Sequence, residues 1–393
     1  MFKIRKTRIF MDYATSTPIR KEVLKAMQPY WIEKYGNPGT IHQFGVEAKK
    51  ALDDSRKKIS QILKCHSDEI IFTASGTESN SMAIFGVIEK LAEKGADLNK
   101  LHMITTVMEH PSILEWFARY EKKGVRVNYI GIDEEGIIDL KELRKVLCPE
   151  TFFVSVMYVN NEIGTIQPIT KIAHIIKDHN KKFTGVKRLP TIFHTDASQA
   201  PLYLPLDIHS LGVDMLTIDG QKIYGPKGVG VLFKKREVEI SPLVVGGSQE
   251  GGLRAGTENI PLIVGLAKAL ELANEDREKE SARLTKIRNG FIDRVLKEIS
   301  GSVLNGSREK RLPNSVNVSI PNIDTEFTII KLDSKGIACS SKSACMGKSK
   351  KDSYVVEALG NNMGNSLRFT LGRSTSKKDV DYVVDMIKRS IGK

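Results

Sequence analysis

The chain alternates short apolar runs with amphipathic helical patterns up to about residue 260, and this alternation restricts its fold more than any other feature. Apolar residues return every three or four positions in Val46 to Leu63, Ser81 to Glu93 and Ile169 to His179. The apolar runs have the length of strands and cover Glu69 to Thr73, Met103 to Val107, Val125 to Ile130, Phe152 to Val159, Ile192 to Asp196, Met215 to Ile218 and Val229 to Phe233. Such alternation predicts a mainly parallel sheet covered by helices, hence an α/β domain.

The pattern of the chain changes after about residue 260. A long charged helical region runs from Pro261 to Ile299, and a final helix runs from Lys377 to Ser390. The segments between them are Ser315 to Ile320, Glu326 to Leu332 and Ser366 to Leu371. This order is typical of a smaller α+β domain. We therefore expect a large α/β domain over residues 15–260 and a small α+β domain over residues 261–393, which residues 1–14 join.

Composition excludes several classes of protein. With 393 residues and 40% hydrophobic content, the chain is able to build a substantial core. No apolar stretch approaches the length of a membrane span, and no hydrophobic signal region follows the basic segment Met1 to Lys6. We therefore expect a cytoplasmic protein without a membrane partner.

Cysteine spacing and charge exclude further functions. The four cysteines, Cys65, Cys148, Cys339 and Cys345, have neither a zinc-type spacing nor the density of a disulfide scaffold, so no metal site is expected. The net charge of +13 permits binding to nucleic acid or acidic proteins, but the basic residues are scattered and no aromatic-interleaved basic motif occurs. A solvated basic surface explains the charge better, and we expect no direct nucleic-acid partner.

One lysine lies in a turn of unusual composition, Asp219-Gly220-Gln221-Lys222-Ile223-Tyr224-Gly225-Pro226-Lys227-Gly228. Taken alone, Lys222 would be a solvated surface charge, but the glycines and the proline restrict its backbone, which favours a positioned amine. The run that ends at Asp196 places an acid at another strand end, where a helix cap or turn residue is as good an explanation as a cofactor ligand. A lysine and a carboxylate at neighbouring strand ends suit pyridoxal phosphate, because the lysine binds its aldehyde and the acid keeps its pyridine nitrogen protonated.

The first strand of the sheet runs directly into a helix through Phe72-Thr73-Ala74-Ser75-Gly76-Thr77-Glu78-Ser79-Asn80. Free amides at a helix start, close approach at Gly76 and the hydroxyl of Thr77 would make a phosphate-binding cup. A plain capping box would explain the segment as well. The cup gains weight because an α/β sheet binds ligands beyond the carboxyl ends of its strands, where Asp196 and Lys222 are also expected.

Two further segments follow strands of the predicted sheet. His110 follows the strand Met103 to Val107; it is either structural or, at a strand end, able to stack on an aromatic cofactor and move protons. Asn160 and Asn161 close another strand, where ordinary turn chemistry or a hydrogen bond to the hydroxyl of a cofactor ring would explain them.

Taken together, these segments resemble the cysteine desulfurases of the bacterial iron-sulfur-assembly type, within the aminotransferase class V group of pyridoxal-phosphate enzymes. The motifs that carry the resemblance are Met11 to Pro18, Tyr35 to Pro38, Gly76 to Ser79, Val159 to Gly164, the Lys222 turn, Gly251 to Thr257, Ser340 to Cys345 and Arg368 to Arg373. The resemblance implies a fold-type I transferase that converts L-cysteine to L-alanine. It also implies a sulfur-acceptor protein, in iron–sulfur cluster assembly or in tRNA thiolation.

Each matching residue inherits an expected role from this resemblance. Lys222 would bind the cofactor aldehyde, Asp196 the pyridine nitrogen, and His110 would stack on the ring and take part in proton transfer. Asn161 and Gln199 would contact the ring oxygen, and Asn37 and Arg368 would bind the substrate carboxylate. Gly76 and Thr77 would bind the phosphate, with Asp219, Gly220 and Gln221 beside the phosphate. Thr257 would reach the phosphate from the second subunit of a homodimer.

The resemblance makes Cys345 the nucleophile that removes sulfur from cysteine and carries it as a persulfide. A thiolate accepts sulfur better than other side chains do, and the glycine, serine and lysine neighbours of Cys345 keep it reachable. Cys339 lies within an apolar run and is expected in the core.

Two positions depart from the family, which usually has serine and histidine near the phosphate where this chain has Asp219 and Gln221. A charged Asp219 beside a phosphate would repel it unless the side chain turns away, is protonated or pairs with a cation. Two other functions therefore stand beside the desulfurase: a degenerate homologue that acts as a binding or scaffold protein, and a related lyase or transaminase. The presence of Lys222, Asp196, His110, Cys345 and Arg368 together argues against degeneration, and Cys345 in its motif argues against a transaminase.

Overall fold

The computed structural model describes residues 8–183, 190–341, 353–360 and 365–391. Helices and strands alternate through most of this chain. They are β1 (Ile9–Phe10), α1 (Lys21–Met27), α2 (Pro29–Ile32), α3 (Gln43–Leu63), β2 (Ile70–Thr73), α4 (Gly76–Glu93), β3 (His102–Thr106), α5 (Pro111–Glu121), β4 (Arg126–Ile130), α6 (Leu140–Val146), β5 (Thr151–Ser155), α7 (Ile169–Lys181), β6 (Ile192–Asp196), α8 (Ile208–Leu211), β7 (Met215–Asp219), β8 (Gly230–Lys234), α9 (Ile260–Glu298), β9 (Val303–Leu304), β10 (Ser315–Ser319), α10 (Thr325–Ser334), β11 (Ile337–Ala338), α11 (Tyr354–Ala358), β12 (Ser366–Thr370) and α12 (Lys377–Ile391).

A seven-stranded sheet in the order β2-β8-β7-β6-β5-β3-β4 forms the centre of the fold. Neighbouring strands pair in parallel except at β8, which is antiparallel to both β2 and β7. The connection from β7 to β8 spans residues 220–229 and is shorter than the dozen or more residues that a parallel crossover needs, so β8 must return in the opposite direction. The expected fold class, α/β with a mainly parallel sheet, is confirmed.

Hydrophobic residues pack on both faces of this sheet. Successive side chains of a strand point to opposite faces, and neighbours in β3 and β5 accordingly belong to different clusters. Met103 and Phe153 pack with the residues of α4 and α5, whereas Ile104 and Val154 pack with those of α3, α7 and α9. This double burial explains why the strands read as continuous apolar runs rather than as alternating patterns.

The C-terminal part of the chain combines helices with two small sheets. β10 pairs antiparallel with β9 and β12, and β1 from the N-terminus pairs in parallel with β11. The long helix α9 packs against α1 and α3, and also against α12 and β10. Within the described residues, no helix is both long and apolar enough to span a bilayer.

Candidate functional site

A cavity of about 160 Å³ opens beyond the carboxyl ends of β3, β5, β6 and β7, where an α/β sheet binds its ligands. Its walls bring together residues that are far apart in the sequence. They are Ala14, Thr15, Gly76, Thr77, Asn80, His110, Ser112, Met157, Val159, Asn161, Asp196, Ser198, Gln199, Asp219, Gln221, Lys222 and Arg368.

Lys222 ends a short 3-10 turn, Gly220–Lys222, that follows β7 directly. Its Nζ donates hydrogen bonds to the carbonyl oxygens of Ala14 at 2.8 Å and Thr15 at 2.7 Å, so the amine is held at the cavity wall. Gly220 does not line the cavity. A Cβ at Gly220 would come within 2.9 Å of the Leu266 side chain, so this glycine allows close packing beneath the turn.

Asp196 makes the contacts of a turn residue and also borders the cavity. Its Oδ1 accepts a hydrogen bond from the backbone N–H of Ser198 at 2.9 Å, which is ordinary turn chemistry. Its Oδ2 accepts from Nδ2 of Asn80 at 2.8 Å, and the buried carboxylate still borders the cavity.

The start of α4 is capped by side chains and also borders the cavity. Ser75 is the N-cap and its Oγ accepts from the N–H of Glu78, while Oε2 of Glu78 accepts from the N–H of Ala74 at 2.9 Å. The Glu78 carboxylate is further neutralised by Nε of Arg254 at 2.9 Å. The N–H groups of Gly76 and Thr77 have no acceptor within their own helix, and both residues line the cavity.

His110 is the N-cap of α5 and lies half-buried at the cavity. Asn160 and Asn161 do not close a strand as expected, because β5 ends at Ser155, and the two side chains differ in role. Asn160 stabilises the turn, because its Oδ1 accepts hydrogen bonds from the N–H groups of Glu162 and Ile163 and its Nδ2 donates to Met108 O. Asn161 lines the cavity, as does Gln199, whose Nε2 donates to Ala14 O at 3.0 Å.

Asp219 borders the cup. Its Cβ lies 3.1 Å from the position that a Cβ on Gly76 would take. Oδ1 accepts from the backbone N–H of Gln221 at 3.1 Å, and Oδ2 accepts from Nε2 of Gln221 at 3.2 Å. The side-chain amide of Gln221 therefore donates to Asp219 rather than to a ligand. Burial raises the pKa of Asp219 above its usual range, against the opposing effects of Gln221 and the nearby Lys222 ammonium.

The buried guanidinium of Arg368 is held by an acid from the N-terminal segment. Its Nη2 donates to Oδ1 of Asp12 at 3.0 Å, and its Nη1 donates to Asn161 O at 3.3 Å. Oδ2 of Asp12 accepts from the hydroxyls of Thr15 and Ser340, both at 2.8 Å. Nε of Arg368 is buried without a hydrogen-bond partner within the described residues, and the residue borders the cavity.

Three expected site residues do not line the cavity of their own chain: Asn37, Gly220 and Thr257. Asn37 and Thr257 are exposed. Cys345 lies outside the described residues. Cys339 is buried as expected, and burial raises the pKa of its thiol to about 12.

Sequence reasoning missed four residues at this site. Asp12, Asn80 and Ser112 hold the expected residues in place, as their hydrogen bonds to Arg368, Asp196 and His110 indicate. Glu109 is fully buried, and burial raises its pKa to about 8. Asn80 lies four residues after Gly76 in the segment Phe72 to Asn80, and residues four apart share one face of a helix. This spacing was the signal that could have identified Asn80.

The residues present fit pyridoxal phosphate. An amine, a carboxylate and the N–H groups of a helix start meet in one cavity, which is the donor set that the cofactor needs. The cup is also shaped for close approach, since a Cβ on Gly76 would lie 3.1 Å from Oγ of Ser198. The carboxylate of Asp219 is the feature that opposes a phosphate at this position.

Comparisons with known proteins agree with this geometry. The profile of the family Aminotransferase class-V matches residues 9–383. A Dictyoglomus turgidum protein named "Cysteine desulfurase IscS" is 44% identical over 391 residues, which cover 99% of this chain and 95% of that protein. A solved structure described as "NIFS-LIKE PROTEIN" superposes with a TM-score of 0.89 at 33% identity, covering 98% of this chain and 100% of its own. Another, "SspA in complex with cysteine", has a TM-score of 0.78 at 32% identity and covers 93% and 99%. The resemblance inferred from the motifs is confirmed, and the chain belongs to the aminotransferase class V family.

Proposed function

We propose that this protein is a pyridoxal-phosphate-dependent cysteine desulfurase. The observation that carries the proposal is the convergence of Lys222, Asp196 and the first turn of α4 on one cavity. The relative named cysteine desulfurase and the related structure that holds cysteine support the choice of reaction and substrate. We keep the cytoplasmic location expected from the sequence as part of this proposal.

Seven residues at the cavity would hold the cofactor. Lys222 would bind the aldehyde, Asp196 would hold the proton on the pyridine nitrogen, and His110 would lie against the ring. Asn161 and Gln199 would contact the ring oxygen, and Gly76 and Thr77 would bind the phosphate through the helix start. When bound, the cofactor supplies an electron sink that makes cleavage of the substrate C–S bond accessible.

Substrate binding and proton transfer fall to residues of this chain. Arg368 would bind the substrate carboxylate, because its guanidinium is oriented by Asp12 and the residue borders the cavity. Lys222 Nζ and His110 Nε2 are the groups that would move protons at the cavity wall.

Sulfur transfer requires a thiolate, and we assign it to Cys345. The Cys345 sulfur forms a bond with the substrate sulfur while the substrate C–S bond breaks, and the carbon that loses sulfur gains a proton. L-cysteine and the Cys345 thiol thus yield L-alanine and a Cys345 persulfide, with no external oxidant or reductant. The persulfide sulfur would then pass to an acceptor protein that serves cluster assembly or tRNA thiolation.

Purified protein loaded with pyridoxal phosphate provides the direct test of the proposed function. With L-cysteine it should form L-alanine and persulfide in equal amounts in the first turnover. A transaminase would instead convert the amino group and release a keto acid. A protein that binds the cofactor without forming alanine would favour the scaffold alternative. The observation in favour of that alternative is the Asp219 carboxylate, whose charge opposes a phosphate at the start of α4.

Removing the Asp219 charge should strengthen cofactor binding. We expect Asp219→Ser and Asp219→Asn to lower the Kd for pyridoxal phosphate by about tenfold, which corresponds to roughly 1.4 kcal/mol of relieved repulsion. Because burial raises the pKa of Asp219, the carboxyl becomes neutral at a higher pH than a solvated one, so the advantage of both variants should shrink as the pH falls. Titration of apo protein at one salt concentration measures this, and equal or weaker binding in both variants would refute it.

The homodimer is supported by exposed apolar side chains on two segments that also carry Asn37 and Thr257. Ile32 is 80% exposed, Ile41 is 99% exposed and Val245 is 80% exposed. Apolar surface of this kind marks protein contacts, and a second copy would bring its own Thr257 toward the phosphate.

We expect light scattering to report a dimer and the double variant Ile32→Asp with Ile41→Asp to shift it toward monomer. If Thr257 acts from the second subunit, the same variant should also bind pyridoxal phosphate more weakly. Phe327→Asp changes an exposed apolar residue on α10 and should remain dimeric. A monomeric wild type at micromolar concentration would contradict the proposal.

A further inference from the structure

Four side chains at the cavity are joined into one chain of short hydrogen bonds. Oδ2 of Asp196 meets Nδ2 of Asn80 at 2.8 Å, and the same Nδ2 meets Oγ of Ser112 at 2.9 Å. Oγ of Ser112 then meets Nδ1 of His110 at 2.8 Å. The chain links the acid expected at one end of the cofactor ring to the histidine expected on its face.

The direction of the first two bonds is set by Asp196. A carboxylate oxygen without a proton only accepts, so the atom of the Asn80 amide that faces it must be the NH₂ group. The opposite orientation would bring two oxygens together. Asn80 therefore uses both of its amide hydrogens, one toward Asp196 and one toward Ser112. Its Oδ1 is buried without a hydrogen-bond partner within the described residues. A buried unpaired oxygen destabilises the fold, so the two hydrogen bonds of the NH₂ group must outweigh this effect.

The orientation of Asn80 determines that of Ser112. A serine hydroxyl has one hydrogen, and its oxygen already accepts from Asn80, so the hydrogen is free to point at Nδ1 of His110. The backbone N–H of Ser112 points at the same Nδ1 from 3.1 Å. Nδ1 thus accepts from two donors and has no room for a hydrogen of its own.

We propose that Asn80 and Ser112 are positioning residues that hold His110 as the neutral ring with its single hydrogen on Nε2. Its contribution to catalysis rests on the proposed function, whereas the tautomer itself does not. A ring fixed in this form is able to donate from Nε2 to a group bound in the cavity, and a second proton on Nδ1 requires the two Ser112 donors to be displaced.

Other charges around His110 act on the same ring. Lys222 and Arg368 line the cavity as cations, and Asp196 and Asp219 line it as acids. The buried carboxyl of Glu109 precedes His110 in the chain. None of these groups is altered by substitution of Ser112, so a change in the His110 tautomer would come from the hydroxyl.

The test measures the tautomer directly by ¹⁵N NMR of apo protein labelled with [¹⁵N]histidine, with the His110 signals assigned by their loss in His110→Gln. The wild type should show the shift of an unprotonated nitrogen at Nδ1 and of a protonated one at Nε2 at neutral pH. In Ser112→Ala, the ratio of the Nδ1–H to the Nε2–H form should rise by roughly 2- to 10-fold, the effect of one lost hydrogen bond. The midpoint of the His110 titration should rise as well, since protonation of Nδ1 becomes easier.

Two variants separate positioning from general support of the fold. Ser112→Thr retains the hydroxyl and should restore the wild-type tautomer ratio. Ser55→Ala removes a buried hydroxyl that donates to Ala51 O in α3, far along the chain from the cavity, and should leave the His110 signals unchanged. In the loaded enzyme, the acidic limb of the kcat/KM profile should move to higher pH in Ser112→Ala and return in Ser112→Thr.

An unprotonated Nε2 in the wild type, or an unchanged ratio and midpoint in Ser112→Ala, would overturn the proposal. Failure of the proposed function is a separate outcome. A protein that forms no alanine but whose His110 tautomer responds to Ser112→Ala retains the positioning role. An active desulfurase whose His110 does not respond loses it.

Discussion

Replacement of Lys222 by alanine is expected to abolish both turnover of cysteine and the visible absorbance of lysine-bound cofactor. The Lys222 amine is held at the cavity wall by two carbonyl oxygens, so alanine leaves the cofactor aldehyde without this anchor and removes a proton-transfer group. We expect kcat to fall by at least about 10²–10⁴-fold, the contribution of one positioned acid–base group.

Absorbance of the loaded protein and a kinetic alanine assay measure the two effects. Lys227 lies five positions further along the same turn and is exposed, so Lys227→Ala is the matched control and should retain both absorbance and activity. A Lys222→Ala enzyme that still forms alanine at a rate near that of the wild type would remove Lys222 from the mechanism. So would a wild-type protein that gains no absorbance at saturating pyridoxal phosphate.

Replacement of Cys345 by serine should leave cofactor and cysteine binding intact and eliminate the persulfide. A hydroxyl does not accept sulfur at neutral pH as a thiolate does, so we expect turnover below detection. Mass spectrometry after a single turnover measures the modification, and spectral changes on addition of cysteine report substrate binding.

Cys339→Ser is the matched control for Cys345→Ser. Burial raises the pKa of the Cys339 thiol to about 12, so it remains a protonated thiol and a poor nucleophile near neutral pH. The Cys339→Ser enzyme should therefore stay active. A persulfide found on Cys339, or an active Cys345→Ser enzyme, would reverse the assignment.

Local pattern alone predicted the strands of the central sheet, the helices α3, α4, α7, α9 and α12 and the turn that carries Lys222. It extended β5 to Val159, whereas the strand ends at Ser155, and it did not predict short elements such as α1, α6 and β1. Hydrophobic periodicity and glycine placement act over a few residues, which is why β6 and the long helix α9 were predicted to within a residue of their bounds. Motifs at strand ends also identified Asp196 and Gly76 as cavity residues, because the carboxyl ends of parallel strands converge in this class of fold.

The tertiary structure decided what each of these residues touches. Asp12 and Arg368 form an ion pair across most of the length of the chain, and no local pattern records such a contact. The same holds for the hydrogen bonds of Asn80 to Asp196 and Ser112, which depend on how α4 and α5 pack over the sheet. Only the folded chain shows that the Asp219 carboxylate lies beside Gly76 and accepts a hydrogen bond from the Gln221 amide. Hydrophobic periodicity is a property of the linear sequence, whereas the partner of a side chain depends on how the elements pack in three dimensions.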